Sequence, residues 1–349
     1  MNNKVSANAL MYSNFIKFER MFEIIKEAFA GSNCNNVDFY IDVYSILKPF
    51  YQQAVIFEKR SCIFTGLINC CAHYRQLFSG YGVNTRFFII YSDHSNPNNK
   101  MFVPNYNFGF DTSKQSNVEL TELISDNIDL LEKFCPYLPE IYFFKSDIGE
   151  ETGSIITSIS SIVHQEGIEN IVLTKDVYNY QLAGRGFTIL RPKKTNNIDA
   201  SYYINQNNVM NMFLEKRRCK IRTNILNPGL LPFIMALTSV PERNIKSLIN
   251  MNTAIKIFEE AVQSYRMTNE YHYDIHEVWN AILCDKLAKV NETLFTFRFK
   301  AIDLQFQSMV YINSPELIGF TLVDLSNPEL VKFINDRFFK DNPIDILSL

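Results

Sequence analysis

The sequence has no apolar run that reaches the ~18 residues needed to cross a membrane as a helix, so no membrane span is expected. Its first residues, MNNKVSANALMYSNF, lack the charged-then-apolar layout of a secretory signal peptide. The seven cysteines (Cys34, Cys62, Cys70, Cys71, Cys135, Cys219, Cys284) include no CxxC pair. That spacing argues against a zinc site or a disulfide framework, and for free thiols in a reducing compartment. There is no Gly-rich phosphate loop and no internal repeat. Positive charge is not in surplus either: 34 Lys and Arg face 37 Asp and Glu, for a net charge of −3. A protein that grips nucleic acid through many phosphates is usually basic, so this balance argues against strong non-specific binding.

What is present is a foldable chain. It has 349 residues, 47% of them hydrophobic, enough for two domains or one with an appendix. Over residues 8–30, Phe15, Phe18, Phe22, Ile25 and Phe29 recur at three- and four-residue steps before Gly31. An amphipathic helix is expected there, with its aromatic stripe either packed in the core or docked on another protein. Short buried strands follow at 37–41 (VDFYI), 87–91 (FFIIY), 138–144 (LPEIYFF) and 171–173 (IVL), with helical patterns at 61–79, 118–134 and after Gly149. A strand-helix alternation of this kind predicts an α/β fold: a mainly parallel sheet flanked by helices, followed by a helical C-terminal region. The expected divisions are an N-terminal helical extension at 1–36, the sheet domain at 37–200 and a mostly helical domain at 201–349. The polar stretch after Pro192 reads as a linker or the start of a peripheral layer. Two short helices are expected within 228–262, the second opened by Pro241. Short strands are expected near 293–299 and 318–323.

The acidic residues have a pattern. Asp42, Asp93 and Asp176 each follow the C-terminal end of a strand, and Glu151 precedes a helix. One such Asp is an ordinary turn or cap residue. Four at these places are candidate metal ligands, because the carboxyl edge of an open α/β sheet is where sites are built. The dense basic cluster is Lys216, Arg217, Arg218, Lys220 and Arg222. It reads as a solvated helix face or, alternatively, as a nucleic-acid-binding patch. His272 and His276 lie four apart, which reads as an exposed helix face because the metalloprotease order is absent.

The stretch Glu151-Thr152-Gly153-Ser154-Ile155-Ile156, then Leu173-Thr174-Lys175-Asp176-Val177-Tyr178 and Gln181-Leu182, resembles the 5′-to-3′ exonuclease and flap endonuclease (PIN-like) family of phage and bacterial type. In that family Glu-Ala-Asp-Asp opens a helix, and a strand leads to Leu-Thr-Gly-Asp-x-Asp. Tyr40-Ile41-Asp42 with Phe50-Tyr51 is similar to the family's first strand and the aromatic pair beyond it. The resemblance covers about residues 37–192. It implies two-metal hydrolysis of phosphodiesters, in which a ring of Asp and Glu holds Mg2+ or Mn2+, here with Asp42, Asp93, Glu151 and Asp176 as ligands.

The departures from the family pattern fall on that ring. Gly153, Ser154 and Tyr178 stand where the family has carboxylates. Leu226-Asn227-Pro228-Gly229-Leu230 matches an acidic segment but has no acid, and Ser239-Val240-Pro241-Glu242-Arg243 lacks the glycines of the family's DNA-gripping hairpin. Tyr106-Asn107-Phe108-Gly109-Phe110 lacks the cations of its clamp element. A catalytically degenerate nuclease is therefore expected, holding no cofactor or one weakly bound Mg2+ or Mn2+ at Asp42, Asp93 and Glu151. The 14% aromatic content and near-neutral charge favour a protein partner in replication, transcription or a virion, with DNA as a second ligand. Asn-, Ile-, Lys-, Tyr- and Phe-rich usage suggests a phage origin, hence the host cytoplasm or the virion. The competing readings are an active Mg-dependent 5′ nuclease with a reduced site and a DNA-structure-binding module.

Overall fold

The computed structural model describes residues 15–17, 36–44, 62–92, 115–146, 151–163, 167–194, 197–219, 226–265, 275–280 and 290–304. Its elements in chain order are β1 (Phe15–Lys17), β2 (Asn36–Asp42), α1 (Cys62–Ser79), β3 (Asn84–Ser92), α2 (Gln115–Phe134), β4 (Ile141–Ser146), α3 (Thr152–Val163) and β5 (Ile168–Leu173). A 3-10 helix, Val177–Arg185, leads to β6 (Thr188–Lys194) and β7 (Asn197–Ile204). Then come α4 (Val209–Lys216), α5 (Leu231–Leu237), α6 (Met251–Tyr265), α7 (Ile275–Val278) and α8 (Glu292–Ile302).

Seven strands form one sheet in the order β1-β7-β6-β5-β2-β3-β4. β6, β5, β2, β3 and β4 are mutually parallel, while β7 and β1 add on antiparallel at one edge. The expected mainly parallel α/β sheet is thus observed. Strands buried on both faces explain the continuous apolar runs. Phe39, Ile41, Phe87 and Ile89 point into one core with α1 and α2, and Tyr40, Phe88, Ile90 and Val172 into a second core with α3 and the C-terminal helices. Between α1 and α2, the Asn127 side chain accepts the Phe64 backbone N–H at 2.8 Å. This meets one of the donors that a helix start leaves without an intrahelical partner.

Four local expectations change. Phe15–Lys17, expected in a helix, pair as a strand with β7; the rest of 8–30 lies outside the described residues. The polar stretch after Pro192 is not a linker but the β6–β7 hairpin, which runs past residue 200. Its polarity reflects a strand near a sheet edge, not absence of structure. Residues 293–299, expected as a strand, lie in α8, where Phe295 and Phe299 share the inward face and Phe299 meets Phe233 at 4.4 Å. Aromatic enrichment favours strands, and here the spacing of the buried rings overrode it. Pro241 opens a 3-10 turn, and the next helix begins only at Met251. Residues 318–323 and His272 lie outside the described residues.

One carboxyl within the sheet carries a testable cost. Glu169 accepts the Thr188 hydroxyl at 2.9 Å. Desolvation raises its pKa above the ordinary value, and the Thr188 bond only partly offsets this. A raised carboxyl favours the folded state when protonated, and that contribution is lost as pH rises through the folded pKa. Glu169→Gln is therefore expected to raise the denaturation midpoint at neutral pH. The gain should vanish at about pH 4 and below, in the ordinary Glu range; a midpoint that falls at neutral pH contradicts the assignment.

Candidate functional site

The chain moves from β2 to β3 to β4, then returns so that β5 lies on the other side of β2. That reversal opens the carboxyl edge between β2 and β5, the usual place for a site in such a sheet. Asp42 ends β2, and Asp176 follows β5 as the N-cap of the Val177–Arg185 helix, accepting the Tyr178 N–H at 2.9 Å. Glu151 sits at the start of α3, where the N–H groups of Ser154 and Ile155 turn back to its carbonyl. Ser154, Thr157, Ser158, Ser160 and Ser161 of α3 bond backbone carbonyls one turn back, Ser154 and Ser158 at 2.7 and 2.9 Å. A helix of such low intrinsic propensity is held by the packing of Ile156 and Ile159.

The structure brings Glu151 and Asp176 together, but around an arginine. Arg243 is 1% exposed. Its Nε and Nη2 donate to the two Glu151 oxygens, both at 2.7 Å. The same Nη2 donates to Asp176 Oδ2 at 2.7 Å. Its guanidinium lies over the Tyr178 ring, 4.1 Å from the centroid. The Tyr178 hydroxyl in turn donates to the carbonyls of Ile302 at 2.7 Å and Ala301 at 3.2 Å. One cation thus gains a bidentate carboxylate, a second carboxylate and an aromatic face in a dry setting, where each such contact is strong.

Asp42 lies beside this cluster in a hydrogen-bond network with Thr174 and Asn179. Its Oδ2 accepts the Thr174 hydroxyl at 2.8 Å and the Asn179 amide at 3.1 Å. Thr174 Oγ1 also accepts the Asp176 N–H at 3.1 Å. Gly153 closes the other side. A Cβ built there would stand 2.5 Å from Leu304 Cδ1 and 2.6 Å from Asn179 Oδ1. Asp93 and the segment 106–110 lie outside the described residues.

This arrangement does not fit a pair of divalent ions. Both Glu151 oxygens and one Asp176 oxygen are taken by a group that stays protonated in proteins. The space beside Gly153 is filled by a leucine. No cluster of three or more His, Cys, Asp and Glu side chains suited to a metal occurs among the described residues. Sequence reasoning missed Arg243, noting its segment only for absent glycines. The available signal was an arginine between apolar runs, at the point where the resemblance predicts a phosphate-binding hairpin.

The basic cluster is only partly displayed. Arg217 is bidentate on Glu242 at 3.0 and 2.7 Å and packs over the Phe213 ring. Lys216 lies over Tyr202, and burial lowers its pKa. Lys216 and Arg218 are exposed, while Lys220 and Arg222 lie outside the described residues. No described helix is long and apolar enough to cross a membrane.

No protein-family model matches the sequence, and no curated protein matches it. Solved structures do. The bacteriophage T5 D15 protein, co-crystallised with metal ions, is 10% identical with a TM-score of 0.51, over 81% of this chain and 95% of that one. The T5 D15 flap endonuclease in a pseudo-enzyme-product complex with DNA and metal ions is 10% identical, with a TM-score of 0.48 over 81% and 94%. The catalytic core of Rad2 with DNA substrate is 12% identical, with a TM-score of 0.43 over 90% and 92%. The chain has the fold of the 5′-to-3′ exonucleases and flap endonucleases.

Proposed function

We propose that this protein is a non-catalytic member of the nuclease fold, an interaction or assembly component with residual DNA contact. Fold alone does not settle activity, which depends on the site. The observation that carries the reading is the Arg243 guanidinium, buried between the two carboxylates that the family resemblance marks as metal ligands. Metal-assisted phosphodiester hydrolysis needs an ion that generates hydroxide and stabilises the leaving oxygen. A guanidinium supplies charge without an open coordination position, and here its charge is already spent on Glu151 and Asp176. Gly153, Ser154 and Tyr178 remove further carboxylates from the same ring. The protein partner is the main ligand in this reading. Lys216 and Arg218 are the described members of the cluster that remain placed to meet phosphate.

The test is incubation with 5′-flap and 5′-ended DNA at millimolar Mg2+ or Mn2+. No cleavage is expected, and the melting temperature is expected to be the same in EDTA and in Mn2+. Cleavage that disappears in Asp42→Ala overturns the proposal and restores the active-nuclease reading. DNA contact is read separately: binding should weaken steeply with salt, and salt-independent or absent binding at low salt removes DNA from the function.

A further inference from the structure

A cleft of about 830 Å3 opens at the other end of the sheet, where β2, β3 and β5 begin. It lies at the amino edge of the strands, away from Asp42 and Asp176. The second half of α1 forms one wall, the first residues of the three strands form the floor, and Glu140 stands on the rim. Its size falls within the range of small-molecule sites.

Arg75 is the centre of this cleft. It is anchored from α1 by Nη2, which donates to the carbonyls of Pro139 at 3.0 Å and Thr85 at 3.4 Å. Its guanidinium lies 5.3 Å from the Phe87 centroid. These contacts hold the side chain, and among the described residues Arg75 forms no ion pair, although the Glu140 carboxylate acts on it through space. Its Nε is buried without an acceptor. Burial lowers its pKa, and the nearby Glu140 carboxylate offsets part of that shift. Thr85, 5% exposed, also lines the cleft, and its hydroxyl is buried without a partner. Two unmet polar atoms on residues lining one cleft are uncommon, because buried polar groups are nearly always bonded. Neighbouring Arg86 differs: Asp38 takes its Nε and Nη2 at 2.7 and 2.8 Å, so its charge is cancelled.

The rim adds a second sign. Glu140 has φ 56, a left-handed conformation that a non-glycine residue adopts at a cost. This turn sets its carbonyl 2.8 Å from the Phe87 N–H and leaves its carboxylate beside the opening, accepting the Tyr142 hydroxyl at 3.3 Å. A negative rim disfavours a dianion such as phosphate more than a monoanion. Asn36, Gln76 and Asn84 supply amides around the mouth.

The geometry points to a binding site for a small organic monocarboxylate, its oxygens accepting from Arg75 and Thr85 and its polar body meeting the rim amides. Binding sets a second carboxylate, beside that of Glu140, against Arg75 and supplies partners for both orphan atoms. This site does not depend on the non-catalytic reading of the carboxyl edge.

The test uses the full chain, with N-acetyl-L-alanine as the carboxylate probe, its primary amide as the neutral isostere, and inorganic phosphate as the dianion. Thermal shift and titration calorimetry give the readouts. The acid is expected to raise the melting temperature in a saturable way at millimolar concentration, the amide to leave it unchanged, and phosphate to act more weakly. Arg75→Gln should abolish the shift. Should that variant fail to fold, Thr85→Val, which is near-isosteric, is the second probe, with affinity expected to fall about tenfold, or 1.4 kcal/mol. No shift up to tens of millimolar, an equal shift with the amide, a stronger shift with phosphate, or an undiminished shift in the variants would each overturn the proposal.

Discussion

Arg243→Ala is expected to lower folding stability by about 3–5 kcal/mol, the usual result of removing one partner from a buried ion pair. The reason is what remains. Glu151 and Asp176 converge on the space that Arg243 leaves, and both side chains are buried. Without the guanidinium they are two like charges with reduced access to water. The Tyr178 face also loses its cation, a contact worth up to about 2 kcal/mol when desolvated. Arg243→Lys keeps the charge but gives up the two-pronged contact with Glu151, so an intermediate loss is expected. The control is the triple substitution Arg243→Met, Glu151→Gln, Asp176→Asn. Replacing a whole buried ion cluster by neutral groups is often close to neutral, so this variant should recover most of what Arg243→Ala loses. Denaturant midpoints with far-UV circular dichroism decide it. A loss under about 1 kcal/mol, the level of a surface salt bridge, would mean that water reaches the cluster and that Arg243 does not hold the two carboxylates.

Gly153→Asp restores the carboxylate that the family resemblance implies, and a stability loss of about 3 kcal/mol or more is expected. Overpacking a filled site costs ~1–3 kcal/mol, and a further buried charge beside Asp42 and Glu151 adds to it. The steric part can be isolated. Gly153 lies in α3, where Gly→Ala normally gains up to about 1 kcal/mol from helix propensity. Here the new methyl would stand 2.5 Å from Leu304 Cδ1 and 2.6 Å from Asn179 Oδ1. Gly153→Ala should therefore destabilise, against the helical trend. A more stable Gly153→Ala would show that Leu304 yields easily, and a Gly153→Asp that is both stable and newly tightened by Mn2+ would show that the metal site is only one residue away. In the fold described here the glycine is needed because Leu304 and Asn179 have moved into the space of the absent side chain.

Much of the sheet was legible because its signals are local. The runs VDFYI and FFIIY are apolar on both faces, and that follows from a strand covered by helices on each side. The helices at 61–79 and 118–134 repeat their apolar residues with the helical period, and the structure has them at Cys62–Ser79 and Gln115–Phe134. The errors also have local causes. In α8, Phe295, Phe297 and Phe299 alternate like a strand, yet Phe295 and Phe299 are buried and Phe297 is exposed, a split that an i, i+4 helical face produces and a strand, with all three on one face, does not. The β6–β7 hairpin was hidden by its charged and Asn-rich composition, which does not read as a strand pattern although both strands are paired on each side.

The sequence by itself determined the strand-helix order, the placing of Asp42 and Asp176 at strand ends, and the uncharged residues Gly153, Ser154 and Tyr178 at positions where the family resemblance implies carboxylates. Those features are set by neighbouring residues and by composition at single positions. Only the tertiary structure decided what Glu151 and Asp176 face. Arg243 reaches Asp176 across 67 residues and Glu151 across 92. No periodicity connects residues that far apart. Their meeting depends on how the C-terminal part of the chain packs on the sheet, which brings one buried cation between two acids at the carboxyl edge.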